Sequence, residues 1–193
     1  MIGTATGPSD RVEDRYWTRG IMKRTSLIVV ALLSVTLVCA AEDPLAKIRT
    51  DFDRAAQAVA AGDPEVILDS TYPGLVQQVG GREAMQSMLA KNLSDLEQRG
   101  MAVVSTEIVS ISQPLRAGDE LHAIVRAKRT VKVPGGRQIQ DTFVIAVSAD
   151  EGKKWTFVDG PQLTPKHIEA LFPDFNEALE LPVIRPPVFE EDS

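Results

Sequence analysis

The chain has 193 residues, with 27 acidic and 21 basic side chains and a net charge of −6. That acidic balance, reinforced by Glu190-Glu191-Asp192 near the end, argues against nucleic acid or anionic lipid as a partner, because both reward clustered Lys and Arg. The single cysteine, Cys39, excludes an intramolecular disulfide framework, and no internal repeat or low-complexity tract is visible.

Residues 1–21, rich in Gly, Asp and Arg, read as a non-native or disordered extension, since Met22 opens a better export signal than Met1. In residues 22–41, Lys23 and Arg24 precede the apolar run Ser26 to Val38 and a small-residue exit at Cys39-Ala40-Ala41, the layout of a signal peptide. The run is shorter than the ~20 residues a bilayer-spanning helix needs. The membrane is therefore expected to be met only through an uncleaved signal. Val38 is not small, which argues against a lipid anchor on Cys39. Loss of residues 1–40 removes five basic and three acidic side chains, so the exported chain carries −8 and no cysteine. Thiolate chemistry and a cysteine metal site go with it. Roughly 150 residues remain, enough for one hydrophobic core.

Helices come first. Asp43-Pro44 is an N-cap followed by proline, and Leu45, Ile48, Phe52, Ala55, Ala56 and Val59 recur at helical spacing until Gly62. Asp63-Pro64 repeats the start signal for a second helix, broken at Tyr72-Pro73-Gly74; Leu75, Val76 and Val79 suit one further turn. Arg82 to Arg99 sets Met85, Met88, Leu89, Leu93 and Leu96 on one face before Gly100. The sum is a three-helix layer.

Strands follow. Val103 to Ile111 is β-branched and closes at Gln113-Pro114, with turn residues at Arg116-Ala117-Gly118-Asp119. In Glu120 to Val133 the odd positions are Leu121, Ala123, Val125, Ala127, Arg129, Val131 and Val133, while the even ones include His122, Arg126, Lys128 and Lys132; Arg137 to Val147 sets Ile139, Phe143, Ile145 and Val147 at odd positions too. If both strands have one dry face, odd must oppose odd, which a three-residue Pro134-Gly135-Gly136 loop provides. Val133 then faces Arg137, and Arg129 faces Asp141 as a cross-strand ion pair. A last strand, Lys153 to Asp159, ends at Gly160-Pro161.

Helices followed by strands predict an α+β fold, N-terminal helices packed in a curved antiparallel sheet with a short C-terminal helix and an extended tail. This order, closed by Lys154-Trp155-Thr156-Phe157-Val158-Asp159-Gly160, resembles the nuclear transport factor 2-like superfamily of cystatin-like α+β rolls. The domain so delimited is residues 42–161, with 162–193 as a helical cap and a Pro-rich acidic tail. The resemblance implies a cone-shaped roll whose bent sheet wraps the first helix and leaves a pocket at one end. Its members include ketosteroid isomerases, polyketide-cyclase-like enzymes, dehydratases and exported domains without known catalysis. Fold alone does not choose among them.

The candidate ligand-facing residues are Tyr72, Arg129, Asp141 and Trp155. Asp141 is the one acid the expected register sets within an apolar face, but Arg129 opposite would hold it as a carboxylate, which suits a structural pair better than a proton-abstracting base. Tyr72, the one tyrosine left after signal removal, stands at a helix break where a pocket mouth could form; core closure is its plainer role. Trp155 and Phe157 alternate as core residues do. His122 and His167 are far apart and without cysteine, so no metal site is expected. The Arg126, Lys128 and Lys132 stripe reads as a solvated face. No nucleophile motif appears, and Gly80-Gly81 lacks the lysine of a phosphate loop.

After Thr164-Pro165 a short helix is expected, then helical cap residues Pro173 to Leu179 and an extended, polyproline-like Leu181 to Phe189 packed on the domain. The expected function is an exported, periplasmic or secreted, non-catalytic domain of the cell envelope that binds a small molecule or an envelope protein and uses no cofactor. The alternative is a cofactor-free lyase or isomerase of the ketosteroid-isomerase or polyketide-cyclase-like type using Tyr72 and Asp141. Pairing of sheets into a homodimer is a further expectation.

Overall fold

The computed structural model describes residues 43–192; the expected extension, the export signal and Cys39 lie outside the described residues. Helix α1 (Pro44–Ala61) begins where sequence places it. The Asp43 side chain accepts from the Leu45 amide, Pro44 needs no amide partner, and Gly62 closes the helix at φ 67°. Asp63 caps α2 (Pro64–Ser70) in the same manner. The turn expected after Tyr72 is a helix in its own right, α3 (Pro73–Gln78), so four helices rather than three precede the sheet, with α4 (Arg82–Gln98) the last.

A six-stranded antiparallel sheet follows: β1 (Ala102–Ile111), β2 (Leu115–Ala117), β3 (Glu120–Val133), β4 (Gly136–Ser148), β5 (Thr156–Asp159) and β6 (Val188–Glu191). Its order is β1-β3-β4-β5, with β2 on β3 and β6 on β4. Helix α5 (Pro165–Leu171) lies between β5 and β6. Residues Pro173 to Leu179 make turns rather than the expected helix. The stiff tail ends not as free polyproline but as β6, where the Glu190 carbonyl and the Phe189 ring close on Gly136 and leave no room for a Cβ there.

The β3–β4 register corrects the sequence reading. Val133 faces Gly136, not Arg137, so odd residues oppose even ones throughout. The loop is two residues, Pro134 and Gly135, and Gly135 at φ 83° takes the third position of the turn, which requires positive φ. The premise of one dry face fails because both faces of this hairpin are covered. Ala123, Val125 and Ala127 of β3 join Val144 and Ala146 of β4 against Ile48 and Phe52 of α1. Ile124, Phe143, Ile145 and Val147 look the other way, onto Leu171, Phe172 and Leu179. The odd apolar positions of the two strands therefore serve opposite cores.

Two consequences follow from that shift. Arg129 opposes Gln140, and Asp141 opposes Lys128 on an exposed position, so the expected Arg129–Asp141 pair does not exist. His122, expected on a wet face, is 2% exposed under the C-terminal segment. Arg126, Lys128 and Lys132 of the same stripe are exposed as expected.

Candidate functional site

Two polar clusters lie against the sheet, one on each side. On the α1 side a cavity of about 310 Å³ opens between the helices and the strands. Phe52, Ala56 and Val59 of α1, Ile67 of α2 and Leu96 of α4 form one wall, and Val103, Val144 and Phe157 of three strands form the other. The small side chains at Ala55 and Ala56 make this room, since α1 otherwise packs its larger Ile48 and Phe52 onto the sheet.

The cavity holds two charged residues, Arg129 and Asp159. Register places them together: Asp159 of β5 opposes Val144, and alternation keeps Arg129 of β3 on the same face. Arg129 Nη2 donates to Asp159 Oδ1 at 3.0 Å, with the side chains 22% and 40% exposed. Arg129 Nε is buried without a partner, as is the Thr142 hydroxyl, which alternation sets on the same face as Val144. An unmatched buried donor costs about 1–3 kcal/mol; Thr142 itself lines a separate, smaller cavity beside Arg126 and Pro182 to Arg185. A larger, more open groove of about 700 Å³ runs between the end of α1 and α4, but no unmatched buried polar atom lines it.

On the opposite side, Glu120 accepts from the Tyr72 hydroxyl at 3.1 Å and from His122 Nε2 at 3.0 Å. Glu120 and His122 share a face because they are two apart on β3. Phe172 lies 5.0 Å from the His122 ring and 5.2 Å from that of Tyr72, and Phe175 stacks 5.9 Å from His122. His122 Nδ1 is buried without a partner. Burial, and after it the negative charge and hydrogen bond of Glu120, push the Tyr72 hydroxyl up to about 12, so it stays a neutral donor. Neither the α1-side cavity nor the larger groove is lined by Tyr72, Glu120 or His122.

Of the four residues singled out from sequence, only Arg129 reaches the α1-side cavity. Trp155 is core, 1% exposed, with its indole Nε1 donating to Gly152 O at 3.1 Å and its amide donating to Asp51 Oδ2 at 2.9 Å. Tyr72 is bonded beside the start of β3, and Asp141 pairs with Lys128, eight residues further along that strand or about 26 Å at the usual rise. The fold does not bring Tyr72 and Asp141 to one point. Sequence reasoning missed Asp159, Glu120 and Thr142. Asp159 had a usable signal, since it stands two residues after Phe157 and so shares its core-facing side; Glu120 and His122 had only their spacing.

Among the described residues no three His, Cys, Asp or Glu side chains converge as metal ligands, and His167 is occupied in capping α5 with Thr164. No described helix is long and apolar enough to cross a membrane. No protein-family model matches this chain, and no curated protein matches it in sequence.

Proposed function

We propose that residues 42–161 form an exported, cone-shaped roll of the nuclear transport factor 2-like kind and serve the cell envelope as a non-catalytic binding domain for a small molecule. The observation that carries this reading is the cavity of about 310 Å³ with mainly apolar walls, the hydroxyl residues Ser70, Thr71 and Thr106, and a single ion pair, Arg129–Asp159, whose charges cancel. Ligand sites commonly combine an apolar lining with a few convergent polar groups at this scale. The Asp159 carboxylate is taken by Arg129, which favours binding over proton abstraction, because a general base needs an acid free to accept the proton. Export rests on the Lys23-Arg24 and Ser26 to Ala41 pattern.

Filling the cavity is the direct test. Ala56→Phe places a ring into the space beside Val144 and Phe157. Wild-type protein is expected to bind toluene, followed by ligand-observed NMR, and the variant to lose that binding while its melting temperature stays within a few degrees. Equal toluene binding by a folded Ala56→Phe protein would sink the proposal.

A further inference from the structure

The polar end of the cavity also constrains the chemistry of what it takes. We infer that the ligand is an uncharged, mostly apolar molecule carrying one hydrogen-bond acceptor, such as a carbonyl oxygen, which docks on the Arg129 guanidinium. This inference rests on the binding reading above and adds the ligand class.

Charge balance comes first. Arg129 and Asp159 are the only charged residues lining the space among the described residues, and they are bonded to each other at 3.0 Å. A carboxylate brought to the guanidinium would also come beside the Asp159 carboxylate, and an ammonium brought to Asp159 would come beside Arg129. Like charges brought this close repel, so the pair disfavours ions of either sign relative to a neutral group. A neutral group escapes both penalties.

Hydrogen-bond matching decides the polarity of that neutral group. The guanidinium presents donors only and no acceptor. Among the described residues only Nη2 is matched to an acceptor, and Nε is buried with none. At the guanidinium the unfilled capacity is donor capacity, so the ligand atom that docks there is an acceptor.

Volume sets the size. An apolar protein cavity of about 150 Å³ holds one benzene ring. The space of about 310 Å³ therefore suits one ring with a side chain of similar bulk, and its walls of Phe52, Val59, Ile67, Val144 and Phe157 suit an apolar body.

Three probes with one skeleton separate these demands: 4-phenylbutan-2-one, its hydrocarbon analogue isopentylbenzene, and 3-phenylpropanoate. Isothermal titration of the full-length protein is expected to rank the ketone first, the hydrocarbon about tenfold weaker, as loss of one charge-assisted hydrogen bond implies, and the carboxylate last. Arg129→Met should collapse the ketone-to-hydrocarbon affinity ratio towards one. Asp159→Asn, which keeps the guanidinium but removes the repelling charge, should raise 3-phenylpropanoate affinity about tenfold and reverse the ranking of carboxylate and hydrocarbon. Equal ketone and hydrocarbon affinities in wild-type protein, or a carboxylate that binds best, would overturn the ligand class while leaving the binding reading standing. Failure of all three probes to bind would overturn both.

Discussion

The two sides of the sheet treat buried polar groups in opposite ways. Towards the C-terminal segment, Glu120 takes the hydroxyl of Tyr72 and the ring nitrogen of His122, and Phe172 and Phe175 pack against them. Towards α1, Arg129 and Asp159 stand in an open space that Ala55 and Ala56 are too small to fill. The first arrangement is a packed network in which Glu120 ties Tyr72 to His122 inside an aromatic shell, with only His122 Nδ1 left unmatched among its side-chain atoms. The second combines room, apolar walls and unspent donors, which is what recognition of a small molecule requires. Residue types alone do not separate the two, since each cluster has a cation or imidazole beside a carboxylate. Space does.

The contrast breaks most sharply at Phe172. Its ring is 2% exposed and touches both Tyr72 and His122. Phe172→Ala should cost about 3–4 kcal/mol in urea unfolding, the range for deleting a buried aromatic, while leaving toluene binding on the α1 side intact in the folded fraction. A loss under about 1 kcal/mol would mean that the C-terminal segment is not part of the core.

A smaller effect sharpens the same side. The Tyr72 hydroxyl rises from 10.0 to about 12 on folding, so the folded state holds the phenol proton more tightly than the unfolded chain does. The stability this contributes is full below pH 10 and is lost as pH climbs from 10 towards 12. Unfolding free energy followed over that interval should fall more steeply for wild-type protein than for Tyr72→Phe, the slope difference being the contribution of Tyr72. Identical slopes would place the hydroxyl in water rather than on Glu120.

The smallest expected effect is at Asp141. Exposed and opposite Lys128, it belongs to neither cluster, and Asp141→Ala should change stability by no more than about 0.5 kcal/mol and leave probe binding unchanged. A large loss of binding in this variant would revive the residue as a site member.

Much of the scaffold was legible because its signals are local. The Asp-Pro starts of α1 and α2, the glycine that ends α1, the span of β3 and the Thr164-Pro165 start of α5 each depend on residues within one or two turns of each other. The β2 strand of three residues was hidden inside a turn-rich stretch, and β6 within a proline-rich tail, because such short strands exist only by pairing with β3 and β4. At the site, Arg129 was singled out as the partner expected for Asp141, and a register slip of one residue hid its pairing with Asp159. That slip came from assuming a single covered face. The alternation of β4 is equally consistent with either face being buried, and only the C-terminal cover of Phe172 and Leu179 settles which core Phe143 and Ile145 join.

By itself, then, the sequence determined the α+β order, the helix limits, the strand spans of the hairpin and the acidic, cysteine-poor character of the described domain, because capping, periodicity and turn chemistry act over a few residues. Tertiary structure decided the register, the union of Arg129 with Asp159 across 30 residues of chain, the burial of His122 and the existence of the cavity. These depend on what covers each face of the sheet, and the covering segments are distant in sequence from the strands they cover.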